Sequence, residues 1–416
     1  MKLFVKNIAI LAGADSHGKL RLQGREMAET GIINDAFLYV EDGIIKRFGQ
    51  MAEAQDLEHT PNVTIVDAEG GAVLPSWCDS HSHVVFGGSR EQEFVDKIRG
   101  LSYAEIAKRG GGILNSADLL HNTSEDELYR QAMRRVNEVI RKGTGCLEIK
   151  SGYGLNTEDE LKMLRVIRRI KETAPLRVVS TFLGAHAVSR EYVGRQGEYV
   201  DLVINEMIPA VGEEKLADFV DVFCDTGFFT PDETGRIIEA AAKYGMRPKI
   251  HADELAASGG VEVAIRHNAL SVDHLESMTE EEIELFRNAE TIPTALPGTS
   301  FFLNMKYAPG RQIIDHGLSL ALASDYNPGS TPSGDMKFIF SLGCIKLRLL
   351  PIEAFNAVTL NGAYAMNLSR NYGSIAVGKM ANFFITIPIP SLDFIPYSYT
   401  TPLVNRVFLR GEEIVS

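Results

Sequence analysis

The chain is short of cysteine: Cys78, Cys146, Cys224 and Cys344 are all it has, and no two form a CxxC pair. That argues against a disulfide framework or a thiolate zinc site and for a reducing cytoplasm. No apolar run reaches the roughly 18 residues of a membrane span. The opening MKLFVKNIAILAG is interrupted by Lys6 and Asn7, so it lacks the apolar heart of a signal peptide. Basic charge is scarce as well. Forty-two Lys and Arg face 55 Asp and Glu, a formal charge of -13, which is the wrong sign for nucleic acid or an anionic membrane as partner. A small anionic substrate stays open, because one local arginine overrules a global sign. There is no internal repeat and no low-complexity segment. No GxGxxG or GxxxxGK follows a strand, which weakens the case for a doubly wound nucleotide-binding sheet.

What is present reads as a globular chain with a sizeable core: 416 residues, 45% hydrophobic and 23% charged. At roughly 150 residues per domain this suggests two or three domains, or one large barrel with an appendage. Both ends look all-β. Leu3–Ile10, Ala36–Glu41, Ile44–Phe48 and Val63–Asp67 are strand-like, as are Phe383–Ile387 and Arg406–Leu409, with turns at Glu41-Asp42-Gly43 and Arg410-Gly411-Glu412. The economical arrangement joins residues 1–70 and 376–416 into one small β-sandwich domain outside a central domain of residues 71–375.

In the central stretch, eight apolar runs alternate with amphipathic helices. The runs are Ala72–Cys78, Gly145–Ile149, Arg177–Leu183, Phe219–Cys224, Met246–Ile250, Leu270–Val272, Thr291–Leu296 and Leu318–Ala323. Glu125–Arg141, Thr157–Ala174, Pro231–Tyr244 and Ser258–Arg266 carry helical periodicity between them. This is the pattern of a TIM-like (β/α)8 barrel, an α/β fold whose active sites lie at the carboxyl ends of the strands. His81, His83, His186, His251 and His274 sit at those ends, and so does Asp325. In His81-Ser82-His83 the alternation of a strand turns both imidazoles to one side. Neutral imidazoles and a carboxylate suit a divalent transition metal. An HxH alone is weak evidence; with His251 and Asp325 on other strand ends, a metal site is the better reading. Asp325 otherwise reads as a turn former in Ser-Asp-Tyr-Asn-Pro-Gly, and His274 as a core histidine. Glu254, three residues past His251, is placed to move a proton; the bland role, helix N-terminal charge, suits Asp253. Arg90 follows Gly87-Gly88 and offers a fork for a carboxylate. Tyr153 stands between two glycines, where its phenol can donate.

This constellation resembles the amidohydrolase superfamily: HxH after the first strand, histidines after the fifth and sixth, aspartate after the eighth. Binuclear members carry a carboxylated lysine on strand four. Here strand four, Val220-Asp221-Val222-Phe223-Cys224-Asp225, has none, and Lys150 ends strand two. The resemblance therefore implies a single metal ion. It is carried further by Val85-Phe86-Gly87-Gly88-Ser89-Arg90-Glu91, the stretch from Ser102-Tyr103 to Gly112-Ile113, and Glu148-Ile149-Lys150-Ser151-Gly152-Tyr153-Gly154. Thr181-Phe182-Leu183-Gly184-Ala185-His186-Ala187, His251-Ala252-Asp253-Glu254, Leu296-Pro297-Gly298-Thr299 and Asp325-Tyr326-Asn327-Pro328-Gly329-Ser330 complete the match. Ser82 and Asp225 depart from the pattern. These segments point to the branch of the superfamily that opens a cyclic amide in histidine degradation, hydrolysing 4-imidazolone-5-propanoate to N-formimidoyl-L-glutamate with a metal-activated water. The resemblance implies one zinc or iron ion held by His81, His83, His251 and Asp325. Arg90, Tyr153, His186, Glu254, Asn327, Gly329 and Ser330 become contacts to substrate or product. Glu254, His274, Asp325 and His186 take the catalytic roles. It leaves room for a homodimer. A cytosine or guanine deaminase is the alternative within the superfamily, although a substrate without a carboxylate leaves Arg90 and Tyr153 unexplained. A catalytically dead scaffold is the alternative outside it, against which every ligand is present.

Overall fold

The computed structural model describes residues 1–101, 105 and 111–414. Most of the segment from Ser102-Tyr103 to Gly112-Ile113 therefore lies outside the described residues.

Five strands come first: β1 (Lys2–Ala14), β2 (Gly31–Glu41), β3 (Ile44–Gln50), β4 (Val63–Asp67) and β5 (Ala72–Pro75). Eight short strands follow: β6 (Trp77–Asp79), β7 (Thr144–Lys150), β8 (Arg177–Ala185), β9 (Phe219–Cys224), β10 (Arg247–Ala252), β11 (Ser271–His274), β12 (Ile292–Ala295) and β13 (Ala321–Leu322). The chain ends on β14 (Phe383–Thr386), β15 (Val404–Leu409) and β16 (Glu412–Ile414).

Strands β6 to β13 pair in sequence order, and every register is parallel. The sheet closes past its nominal ends, where Ser82 bridges Tyr326 and the Asp325 amide donates to the His81 carbonyl at 2.9 Å. This is the expected eight-stranded barrel. Its strands are buried on both faces, so they read as apolar runs rather than alternating ones. Helices close the parallel crossovers. In the helix Glu125–Arg141 the Ser124 hydroxyl caps Glu127 N, and Leu128, Ala132, Val136 and Val139 form the inward stripe. Asn156 caps the helix Thr157–Thr173 in the same way, and Thr230 with Glu233 makes a capping box for Pro231–Ala242. Among the described residues no helix is long and apolar enough to cross a membrane.

Both termini build the second sheet. The long β1 pairs with β4 through residues 2–6 and with β5 through Ile10 and Leu11, while β14 joins on the far side of β5. The two limbs fold toward each other, with Ile44 bridging Met380, and enclose one apolar cluster that includes Val5, Leu38, Val40, Phe383 and Phe408. One expected run divides here. Ala72–Cys78 breaks at Ser76, whose amide donates to the Asn382 carbonyl at 3.0 Å, so residues 72–75 serve the terminal sheet and 77–79 start the barrel. Trp77 seals the junction: it is 1% exposed, donates to the Lys142 carbonyl at 3.0 Å, and lies 4.8 Å from the ring of Phe384 in β14.

Candidate active site

The strand ends bring His81, His83, His251 and Asp325 into one buried cluster. His81 Nε2 lies 3.3 Å from His83 Nε2, and both stand within 3.6 Å of Asp325 Oδ1. Ligand bonds of about 2.1 Å in a tetrahedron leave donor atoms roughly 3.4 Å apart, so these spacings fit one transition-metal ion. His251 Nε2 is buried with no partner, and its ring lies 4.4 Å from that of His81. With His81 and His274 it forms a second group whose ligand atoms lie within 4.8 Å of one another, overlapping the first at His81, and a buried imidazole nitrogen without a partner is free to take a ligand bond. Burial, reinforced by neighbouring cationic groups, holds His81 and His83 well below the usual imidazole range, which keeps them in the neutral form that binds metal.

The backbone and neighbouring side chains aim these ligands. Asp325 sits in the left-handed region at φ 53°, a conformation that costs a non-glycine residue about 1–3 kcal/mol and turns its carboxylate inward. Its Oδ2 accepts from Thr299 Oγ1 at 2.6 Å and Ser330 Oγ at 3.1 Å, which leaves Oδ1 for the ion. His81 Nδ1 donates to Asp273 Oδ2 at 2.6 Å. His251 Nδ1 lies 3.0 Å from Asp221 Oδ2, at an angle short of a good hydrogen bond. Such carboxylate–histidine pairs fix the tautomer and ring orientation of a ligand. Thr299, Asp221, Asp273 and Glu276 were not singled out from the sequence. For the three acids the signal is a charged residue within, or just past, a strand that otherwise reads as apolar; Thr299 lies in the helix Pro297–Leu303 and carries no such signal.

Above the cluster opens a cavity of about 700 Å³ that reaches His83, Arg90, Tyr153, His186, Glu254 and His274, and also Asp325, Asn327, Gly329 and Ser330. The Arg90 guanidinium is nearly buried, with Nε and Nη1 unpaired, and its nearest carboxylate is Glu93 at 3.6 Å. Glu93 is already engaged by the Gly112 amide and the Asn115 side chain. Gly329 makes room for Arg90: a Cβ there would stand 1.1 Å from Arg90 Nη2. A second cation, Lys97 Nζ, donates to the Gly329 carbonyl at 3.3 Å. His186 donates from Nδ1 to the Gly152 carbonyl at 2.9 Å, and its ring stacks 5.4 Å from that of His83. Burial lowers its pKa to about 3, so Nε2 is left as a bare acceptor facing the cavity. Asn327 is heavily engaged in its own turn, accepting from the amides of Gly329 and Ser330 and donating to the Asp325 carbonyl and to Ser330 Oγ.

Glu254 and His274 face each other, with Oε2 3.7 Å from Nε2. Burial raises Glu254 to about 7, reinforced by Glu276 and Asp325 and opposed by His274. For His274 burial works downward, but Glu254, Glu276 and Asp325 outweigh it and raise the imidazole to about 10. A cation in the cage lowers both values. Near neutral pH Glu254 is then a carboxylate that accepts a proton, and His274 a donor. Glu276 Oε2 lies 3.6 Å from His274 Nδ1, and its other oxygen accepts from Ser300 Oγ at 3.1 Å.

The amidohydrolase family model matches residues 72–411. The imidazolonepropionase of Christiangramia forsetii is 50% identical, the match covering 100% of both chains. That of Flavobacterium psychrophilum is 48% identical over 100% of both, and that of Alkaliphilus oremlandii 41% identical over 99% of this chain and 98% of its own. Two solved structures share the fold. Guanine deaminase of E. coli superposes with a TM-score of 0.73 at 12% identity, covering 100% of this chain and 99% of its own. An adenosine deaminase of Xanthomonas campestris with bound zinc gives 0.69 at 16%, covering 99% and 92%.

Proposed function

The chain belongs to the amidohydrolase family, and from that premise we propose how its cavity hydrolyses the ring amide of 4-imidazolone-5-propanoate to N-formimidoyl-L-glutamate. The observation that carries the assignment of roles is the buried, half-unpaired Arg90 guanidinium in the same cavity as the metal cage. A buried cation without a full partner is costly, and a propionate carboxylate satisfies it bidentately. Lys97 adds a second positive charge at the same end. A neutral nucleobase would leave Arg90 unsatisfied, which disfavours the deaminase alternative.

His81, His83, His251 and Asp325 would hold one zinc or iron ion. When bound, that ion supplies acidity to a water, towards a pKa of about 7, and polarises the ring carbonyl. The chain's own residues do the rest. Arg90 anchors the propionate, so that binding energy is spent on aligning the ring. Tyr153, at the cavity wall, lines the path between anchor and cage. His186, neutral and with Nδ1 committed to Gly152, accepts from a ring N–H rather than stabilising an oxyanion. Glu254 accepts the proton of the attacking water and delivers it to the departing ring nitrogen as the carbonyl carbon–nitrogen bond breaks. His274, kept protonated by Glu254 and Glu276, donates toward the charge that develops on the carbonyl oxygen.

The test is direct. Purified protein loaded with zinc or iron should abolish the ultraviolet absorbance of the imidazolone at a rate that depends on Arg90. A loaded protein that leaves the imidazolone intact and deaminates guanine or cytosine would refute the reading.

A further inference from the structure

Beneath the cage the barrel interior is ionic, where barrels of this kind are filled by branched aliphatic side chains. Glu148 and Lys150 of β7, Asp221 of β9, Lys249 of β10 and Asp273 of β11 are all at most 1% exposed. Lys150 Nζ lies 2.7 Å from Glu148 Oε1, 2.7 Å from Asp221 Oδ2 and 3.6 Å from Asp273 Oδ2. Lys249 Nζ pairs closely with the other oxygen of Glu148, donates to the Ser80 carbonyl at 2.8 Å, and lies 3.8 Å from Asp273 Oδ2. Two ammonium groups thus join three carboxylates, and two of those carboxylates touch the cage histidines.

Burying five charges is expensive, and a floor of aliphatic residues would give the barrel equal or better stability. The arrangement needs another reason, and the contacts supply it. We propose that Lys150 and Lys249 are positioning residues of the metal cage: their ion pairs fix Asp221 and Asp273 in the barrel interior against the inner nitrogens of His251 and His81, so that both histidines turn Nε2 to the ion. A carboxylate paired to an ammonium group serves its other neighbour as a hydrogen-bond acceptor. It therefore admits only the tautomer with the proton on Nδ1, and the lone pair on Nε2 faces upward. Lys150, enclosed by Glu148 and Asp221, has its ammonium committed to this floor.

The proposal rests on the four-ligand cage of the preceding section, and the experiment separates the two. Zinc(II) is titrated into the full-length apoprotein against a chromophoric chelator, for wild type, Lys150→Met, Lys249→Met, Asp273→Asn and His83→Ala. Each lysine variant and Asp273→Asn should bind zinc about 10–100-fold more weakly, the range for removing a partner behind a ligand. Val166→Ala, a truncation in the distant helix Thr157–Thr173, controls for general destabilisation and should bind zinc like wild type. Long-range ¹H–¹⁵N spectra of the wild-type apoprotein should show His81 and His251 with the proton on Nδ1. Wild-type zinc affinity in folded lysine variants overturns the proposal, as does an equal loss in Val166→Ala. Should the lysine variants fail to fold, Asp273→Asn and the tautomers decide: protons found on Nε2 overturn it. Zinc affinity unchanged by His83→Ala defeats the cage itself.

Discussion

Alanine at position 329 would place its Cβ 1.1 Å from Arg90 Nη2 and 2.0 Å from the guanidinium carbon. Unbonded heavy atoms settle at roughly 3.5–4.0 Å, so the guanidinium must retreat by about 2.4 Å or leave its seat. Gly329 itself has an ordinary backbone conformation, so alanine adds no strain of its own there. The perturbation therefore falls on Arg90 and, through it, on the substrate carboxylate. A charge-assisted hydrogen bond to an ionised group is worth about 1.5–3 kcal/mol, or roughly 10–150-fold in kcat/KM. Gly329→Ala should lose that much on the propionate substrate, followed by imidazolone absorbance, and far less on an analogue whose carboxylate is amidated. Arg90→Ala should lose a similar amount, and Arg90→Lys should recover only part, because lysine keeps the charge without the fork. Adding Gly329→Ala to Arg90→Ala should then change almost nothing, since the two share one partner. If the anchor acts equally before and during reaction, the loss falls in KM; if it aligns the ring, kcat falls too. Losses that add in the double variant, or that are equal on acid and amide, would refute the reasoning.

Glu254→Gln keeps the size of the side chain and removes the proton carrier, so kcat should fall by roughly 10²–10⁴-fold with metal content unchanged by elemental analysis. In wild type, kcat/KM should rise with pH through an apparent pKa at or below about 7 as Glu254 loses its proton, and decline on the alkaline side below about 10 as His274 loses its own. An acid limb that survives in Glu254→Gln would assign that limb to another group. Active protein should carry about one metal ion per chain, and a strong chelator should abolish activity that zinc or iron then restores. Two tightly held ions per active chain would count against the cage. Thr299→Val removes the 2.6 Å hydrogen bond to Asp325 Oδ2 and should weaken zinc binding about 10–100-fold with KM little changed; an unaltered zinc titration would contradict it.

The barrel was legible because its strands are buried on both faces and its crossover helices carry their own caps, both local signals. Ala72–Cys78 misled because a single serine after Pro75 in an otherwise apolar run is a weak mark of a change of sheet. The break at Ser76 is set by pairing with Asn382, more than 300 positions away, which no local pattern records. The cage was legible for a related reason: His81 and His83 share a face by alternation alone, His251 lies one residue from the end of its strand, and Asp325 follows shortly after its own. The ionic floor was not read, although the same alternation puts Glu148 with Lys150 and Lys249 with His251 on common faces. Charged residues inside strands taken as core were passed over, because their partners come from three other strands. Asn327 shows the converse. Its place beside the cavity suggested a substrate contact, whereas its hydrogen bonds show an amide that also organises the turn beneath Gly329 and Ser330.

The division between floor and rim has a consequence for substrate choice. His251 lies within β10 and His274 ends β11, while Asp221, Asp273, Lys150 and Lys249 are strand residues. Moving Lys150, Asp221, Lys249, His251 or Asp273 disturbs the barrel, because each is paired to a residue of another strand. Arg90 and Tyr153 belong instead to the loops after β6 and β7, and Gly329 to the loop after β13. Arg90 shares its cavity with the cage. Loops tolerate exchange at little cost to the scaffold that carries them. Replacing the Arg90 loop should therefore change which ring is accepted while the zinc titration stays fixed, whereas replacing Lys150 should weaken the zinc titration while preference for the carboxylate stays. On the proposed roles, the strands govern whether water is activated, and the first and last loops govern for which ring.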